Sequence, residues 1–157
     1  MAEQRFGLGF DVHDFGTGGT LRLGGVVFDG IPRLAGHSDG DVVCHAVADA
    51  LLGAAGLGDI GEHFPDADAA VAGILGMELL GQTVALIRAQ GLMAWSADAT
   101  VIAEQPAIAP HRDAMRNSLA ATLGVPVERV SVKATRPEGL GLSGGIGCIA
   151  LAVLSVA

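Results

Sequence analysis

A chain of 157 residues with a net charge of −8 has no basic stripe to release counterions from a nucleic acid or an anionic membrane, so neither partner is expected. Half its residues are apolar but only 4% are aromatic, so the core has to be built from Ala, Val, Leu and Ile, with 24 glycines for turns and close backbone approaches. A mean hydropathy of +0.50 points to apolar surface buried against other subunits rather than to a membrane span, because the C-terminal run at 149–157 is far shorter than the roughly 20 residues a spanning helix needs.

The N-terminus runs straight into an apparent strand with no cleavable apolar segment, and strands are expected at 6–13 and 21–28 on either side of the turn Gly16-Thr17-Gly18-Gly19. Ser38 or Asp39 can cap a helix reaching about Ala55, with Val42, Val43, Ala46, Ala50 and Leu51 on its apolar side. A loop follows over 56–68, then a helix over 75–89 that stops at Gly91. The segment 95–103 reads as a strand, and 110–123 as a helix with Pro110 in its first turn and Gly124 past its end. Strands at 130–135 and 149–156 complete an α+β sandwich, a mostly antiparallel sheet covered on one face by helices and forming one domain over 1–157. Cys44 and Cys148 are too few for a disulfide framework and sit in apolar surroundings, which predicts buried thiols in a reducing cytoplasm.

Asp11 and His13 alternate onto the same face of their strand. On the helix that follows, His45 lies one turn beyond Asp41, with Asp49 a turn further. Asp11, His13 and His45 together make a three-ligand zinc site with the fourth position open, the arrangement of catalytic zinc. Taken one at a time, the same residues read rather as a turn or cap aspartate and two ordinary, partly buried histidines. Asp41 and Asp49 read either as groups that orient the imidazoles or as caps and solvated acids.

Gly9-Phe10-Asp11-Val12-His13, His37-Ser38-Asp39-Gly40-Asp41 with His45 four residues on, Gly58-Asp59-Ile60-Gly61 and Phe64-Pro65-Asp66-Ala67-Asp68 occur in this order. Together they resemble the 2-C-methyl-D-erythritol 2,4-cyclodiphosphate synthase family over nearly the whole chain. The resemblance implies a bacterial cytoplasmic homotrimer with active sites between adjacent subunits. The reaction it implies is cyclisation of 4-diphosphocytidyl-2-C-methyl-D-erythritol 2-phosphate with release of CMP, in the non-mevalonate route to isoprenoids. One zinc per subunit on Asp11, His13 and His45 is implied, with magnesium or manganese on Glu138 and the substrate's diphosphate. By the same resemblance His37 stabilises the transition state and Ser38 contacts phosphate. Asp59, Ile60 and Gly61 hold the methylerythritol hydroxyls, and Phe64, Pro65, Asp66, Ala67 and Asp68 form a further substrate loop. The segment Ala103, Glu104, Gln105, Pro106, Ala107, Ile108 and Ala109 recognises cytosine, largely through its backbone. Thr135, Pro137 and Leu142 fall on substrate-binding positions.

The chain departs from the family pattern in places. Arg136 stands where a threonine is thought to stabilise the transition state, and is expected to take over that role as a catalytic residue. Gly145 and Gly147 replace an Arg and a Glu that face the trimer channel in many members, and 72–76 is less polar than usual. A non-catalytic trimeric protein that binds zinc and a phosphometabolite, with a diverged site rim, is the alternative expectation.

Overall fold

The computed structural model describes residues 3–141 and 144–156. Leu142 and the 142–143 pair therefore lie outside the described residues. Four strands, β1 (Gln4–Asp14), β4 (Leu92–Ile102), β5 (Val130–Thr135) and β6 (Gly145–Val156), form one sheet in the order β1-β6-β4-β5. Two of its three ladders are antiparallel and the third, β4 against β5, is parallel, so the sheet is mixed. The parallel pair arises because α4 (Arg112–Leu123) carries the chain back from the end of β4 to the start of β5. The region expected to be one strand at 21–28 is instead a separate hairpin of two three-residue strands, β2 (Leu21–Leu23) and β3 (Val26–Phe28). Gly24 and Gly25, at φ 56° and 77°, make the left-handed turn that a two-residue hairpin of this twist requires.

One face of the sheet is covered by α1 (Val42–Ala55), which is itself covered by α3 (Gly76–Ala89), with α4 against β5 and α3. Sandwiched in this way, α1 is buried nearly all round, far beyond the single apolar side its sequence implies. Its N-cap is Asp41 rather than Ser38 or Asp39: the Asp41 carboxylate accepts from Val43 N and Cys44 N. The loop at 56–68 contains a short helix, α2 (Ile60–His63).

Alternation along β1 divides its side chains cleanly. Gly7, Gly9, Asp11 and His13 face the helices, and Phe6, Leu8, Phe10 and Val12 face away and are exposed. Ile149 and Leu151 of β6 and Met93 and Trp95 of β4 extend that exposed apolar face. The guanidinium of Arg129 lies 3.5 Å from the centroid of the Trp95 ring.

Candidate functional site

On the helix side, β1 and α1 come together without side chains between them. A Cβ on Gly7 would stand 1.9 Å from the carbonyl oxygen of Ala50, and one on Gly9 1.9 Å from that of Ala46. Only glycine tolerates this approach. It carries His45, the residue before Ala46, down onto Asp11 and His13. Asp11 Oδ2 lies 3.0 Å from His13 Nε2 and 3.0 Å from His45 Nδ1. The two rings meet edge to face at 70°.

The ligand atoms of Asp11, His13 and His45 all lie within 4.8 Å of one another, and the set is one carboxylate and two imidazoles. That donor set fits a single zinc-class ion and leaves a coordination position for substrate or water. Burial pushes the Asp11 carboxyl up, but hydrogen bonds and charge from His13 and His45 outweigh it and hold the group at about 2. The Asp11 hydrogen bond raises His13 above the usual imidazole range, against the opposing effect of burial.

The cluster forms the floor of a cavity of about 520 Å³. Of the residues singled out in the sequence, His37, Ser38, Ile60, Gly61, Phe64, Pro65, Asp66 and Ala67 line it along with the three ligands. Gly36, Val71, Ala72, Ile74 and Leu79 complete the wall. Sequence reasoning missed these five, and its nearest signal was the unusually apolar run at 72–76. His37 Nδ1 stands 3.6 Å from Asp66 Oδ2 across the mouth, with both side chains largely exposed, so that pair is weak. Asp59 and Asp68 stay outside the wall. Each caps a helical turn, Asp59 accepting from Glu62 N and Asp68 from Ala70 N.

Of the two readings open for Asp41 and Asp49, their contacts favour capping and tying over orienting an imidazole. Asp41 is fully buried and takes Gly24 N and Gly25 N at 2.8 Å each, locking the hairpin turn to the start of α1. Asp49 accepts from Ile60 N at 2.8 Å and so ties α2 to α1. The group that meets His45 is Ser38, whose Oγ lies 3.3 Å from Nε2 and also accepts from Gly40 N. With Nδ1 given to a metal, Nε2 keeps the ring proton and donates it to Ser38 Oγ. The Ser38 hydroxyl hydrogen is then used by neither of these two contacts.

The remaining candidates form a second group. Ala103 N donates to Thr135 O, which joins 103–109 to 135–138 at the ends of β4 and β5. The Gln105–Pro106 peptide in that group is cis. Pro137 is buried, whereas Arg136 and Glu138 are exposed, and Glu138 is the one non-glycine residue with a left-handed φ (50°) among those described. Val12, Gly147, Ile102 and Thr135 are in register across the sheet. Three strand spacings of about 4.8 Å put Thr135 some ~14 Å from Val12, on the opposite edge. None of 103–109 or 135–138 lines this cavity; Glu104 and Gln105 instead line a second one with Phe15, Gly30, Ile31 and Pro32.

Fold and site thus define an α+β protein with a carboxylate–imidazole triad, a candidate metal site, at the base of a cavity. The YgbB family model matches residues 4–156, and the chain belongs to that family. It is 52% identical over 153 residues to the 2-C-methyl-D-erythritol 2,4-cyclodiphosphate synthase of Gemmatimonas aurantiaca, covering 96% of this chain and 92% of that one. Among solved structures, the bifunctional IspDF from Campylobacter jejuni superposes with a TM-score of 0.94 at 39% identity, over all of this chain and 43% of the longer one. A CDP-bound form of 2C-methyl-D-erythritol-2,4-cyclodiphosphate synthase superposes with a TM-score of 0.89 at 34% identity, covering 96% and 99% of the two chains.

Proposed function

We propose that this protein is a 2-C-methyl-D-erythritol 2,4-cyclodiphosphate synthase of the non-mevalonate isoprenoid route, working in the bacterial cytoplasm. It converts 4-diphosphocytidyl-2-C-methyl-D-erythritol 2-phosphate to the cyclic diphosphate and CMP. The observation that carries this reading is the Asp11–His13–His45 cluster at the floor of a cavity that also holds His37 and Ser38. Relatives about 50% identical bear that enzyme's name.

An oxygen of the substrate's 2-phosphate attacks the β-phosphorus, and the bond from that phosphorus to the bridging oxygen breaks, so the electron pair leaves with CMP. The nucleophile is already ionised, so the protein's task is to position the groups and balance charge rather than to abstract a proton. Asp11, His13 and His45 would hold a zinc ion, which would supply Lewis acidity to a phosphate oxygen. Ser38 donates its hydroxyl hydrogen to phosphate, and His37, at the open mouth, stabilises charge as it builds. Ile60, Gly61 and the 64–67 loop enclose the methylerythritol, and 103–109 receives the cytosine. Glu138 would hold magnesium or manganese, giving an oxygen ligand to a largely hydrated ion. Arg136 brings a full positive charge where a threonine would give one neutral hydrogen bond.

Because 135–138 end and follow the edge strand opposite β1, 103–109 follow β4 beside it, and neither segment lines the metal cavity, we read each active site as assembled from two subunits of a homotrimer. One copy supplies the metal cavity and its neighbour supplies 103–109 and 135–138. The exposed apolar sheet face supports this assembly: Phe6, Leu8 and Phe10 are each more than half exposed, and Leu140, beside Glu138, is 88% exposed. The test is CMP release from the diphosphocytidyl substrate, followed by chromatography. Release that depends on zinc and is lost in Asp11→Asn is expected, and no release from the zinc-loaded protein would overturn the reading.

A further inference from the structure

The segments 37–39 and 73–76, which bring His37, Ser38 and Ile74 to the cavity wall, are fastened to each other by three hydrogen bonds. Gly73 N donates to His37 O at 2.9 Å, Asp39 N to Ile74 O at 3.2 Å, and Gly76 N to Asp39 Oδ2 at 3.0 Å. The second Asp39 oxygen accepts from Asp41 N at 3.1 Å, so one carboxylate grips both the turn leading into α1 and the first amide of α3. The start of α3 needs that outside help. Its N-cap is Leu75, which has the extended backbone of a cap (φ −73°, ψ 138°) but no side-chain acceptor. Gly76 lets the segments close up, since a Cβ there would stand 2.7 Å from the Asp41 Cβ and 3.0 Å from that of Cys44.

We infer that Asp39 is a positioning residue for the reaction, holding Ser38 and His37 in place by tying their turn to the 73–76 wall. The Asp39 carboxylate accepts from Asp41 N and Gly76 N rather than from the metal-cluster side chains, and it does not line the cavity. Its immediate neighbour Ser38 is the residue that accepts from Gly40 N and lies against His45 Nε2. Loss of the Asp39 carboxylate frees the amides of Asp41 and Gly76 together and leaves the Ser38 turn tied to the 73–76 wall by two main-chain hydrogen bonds alone. The inference rests on the cavity being the reaction site proposed above.

The test compares Asp39→Ala, Asp39→Asn and the double variant Asp39→Ala/Leu75→Ser with the parent, all loaded with zinc and verified as folded by circular dichroism. In the double variant the serine hydroxyl introduced at the N-cap position can cap the free amides at the start of α3 locally. The expected result for Asp39→Ala is unchanged zinc content, a lowered Tm, and a fall of about tenfold or more in kcat/KM. Its affinity for CDP in calorimetry should weaken as well. Leu75→Ser should raise the Tm again without restoring kcat/KM or CDP affinity. Recovery of both together with the Tm would make Asp39 a helix cap only and overturn the inference, as would parental kcat/KM and CDP affinity in folded Asp39→Ala. Should Asp39→Ala not fold, Asp39→Asn, which keeps one acceptor, is judged by the same two readouts. If the parent itself makes no product, the proposed reaction fails, while calorimetry still decides the role of Asp39.

Discussion

Gly9 and Ala46 meet backbone to backbone: a Cβ on Gly9 would stand 1.9 Å from the Ala46 carbonyl oxygen. This contact builds the metal cluster. Gly9 lies two residues before Asp11 on the same strand face, and Ala46 directly follows His45. Gly9→Ala must therefore force β1 and α1 apart. It should cost about 1–3 kcal/mol in denaturant unfolding, as overpacking does, and lower zinc occupancy per chain. Retention of full zinc at parental stability would separate the close approach from the site.

The metal-free cluster should give stability a defined pH window. Asp11 is held at about 2, below its unfolded 3.8, so its contribution is present above 3.8 and lost as pH falls through about 2. His13 is raised above 6.5, so its contribution is present below 6.5 and lost as pH rises through the raised value. Urea titrations of metal-free protein should therefore show the cluster stabilising most between 3.8 and 6.5. Asp11→Asn should flatten both limbs. Zinc addition near pH 6.5 should release a proton from His13, which calorimetry in buffers of different ionisation enthalpy would detect.

Both thiols should be inert in the folded protein. Cys44 and Cys148 are fully buried, and burial pushes Cys148 up to about 12 and Cys44 well above the usual thiol value. An aromatic disulfide reagent at pH 8 should titrate neither thiol natively and both in guanidinium. Rapid native labelling would contradict the packing of α1 against β6.

Trp95, the single tryptophan, lies on the exposed sheet face under Arg129 and should report assembly. Dilution through dissociation should shift its emission to the red as the face meets water. A spectrum unchanged while light scattering records the fall in mass would place the interface elsewhere.

A site divided between copies predicts complementation. His13→Ala and Glu138→Ala should each be inactive, and mixing them through unfolding and refolding should restore activity. Random assembly of a shared site returns about a quarter of parental activity. If the groups worked within one chain, the mixture would stay inactive.

Much of this was legible in the sequence, because local rules govern it. Alternation put Asp11 with His13, the resemblance to a known family added His45, and Gly124 ends α4 in the left-handed conformation that its position implied. What was not legible depends on packing. Ser38, Asp39 and Asp41 are all good caps, and only the Gly24–Gly25 turn above α1 decides for Asp41. A glycine in a strand weakens it or marks an approach, and nothing local says that Gly7 and Gly9 receive a helix backbone. The separation of Glu138 from His13 follows from strand order, which brings β5 to the edge opposite β1. Gly145 is likewise a packing residue, since a Cβ there would lie 2.1 Å from His13 O.

CMP release alone cannot distinguish cyclisation from hydrolysis, because water attacking the same phosphorus also frees CMP. Phosphorus NMR of the diphosphocytidyl substrate with zinc-loaded protein and magnesium tests the central claim directly. The account predicts CMP together with the coupled pair of doublets of a cyclic diphosphate, and no signal from a linear bisphosphate. CMP with two uncoupled monophosphate signals would contradict it and make the protein a hydrolase.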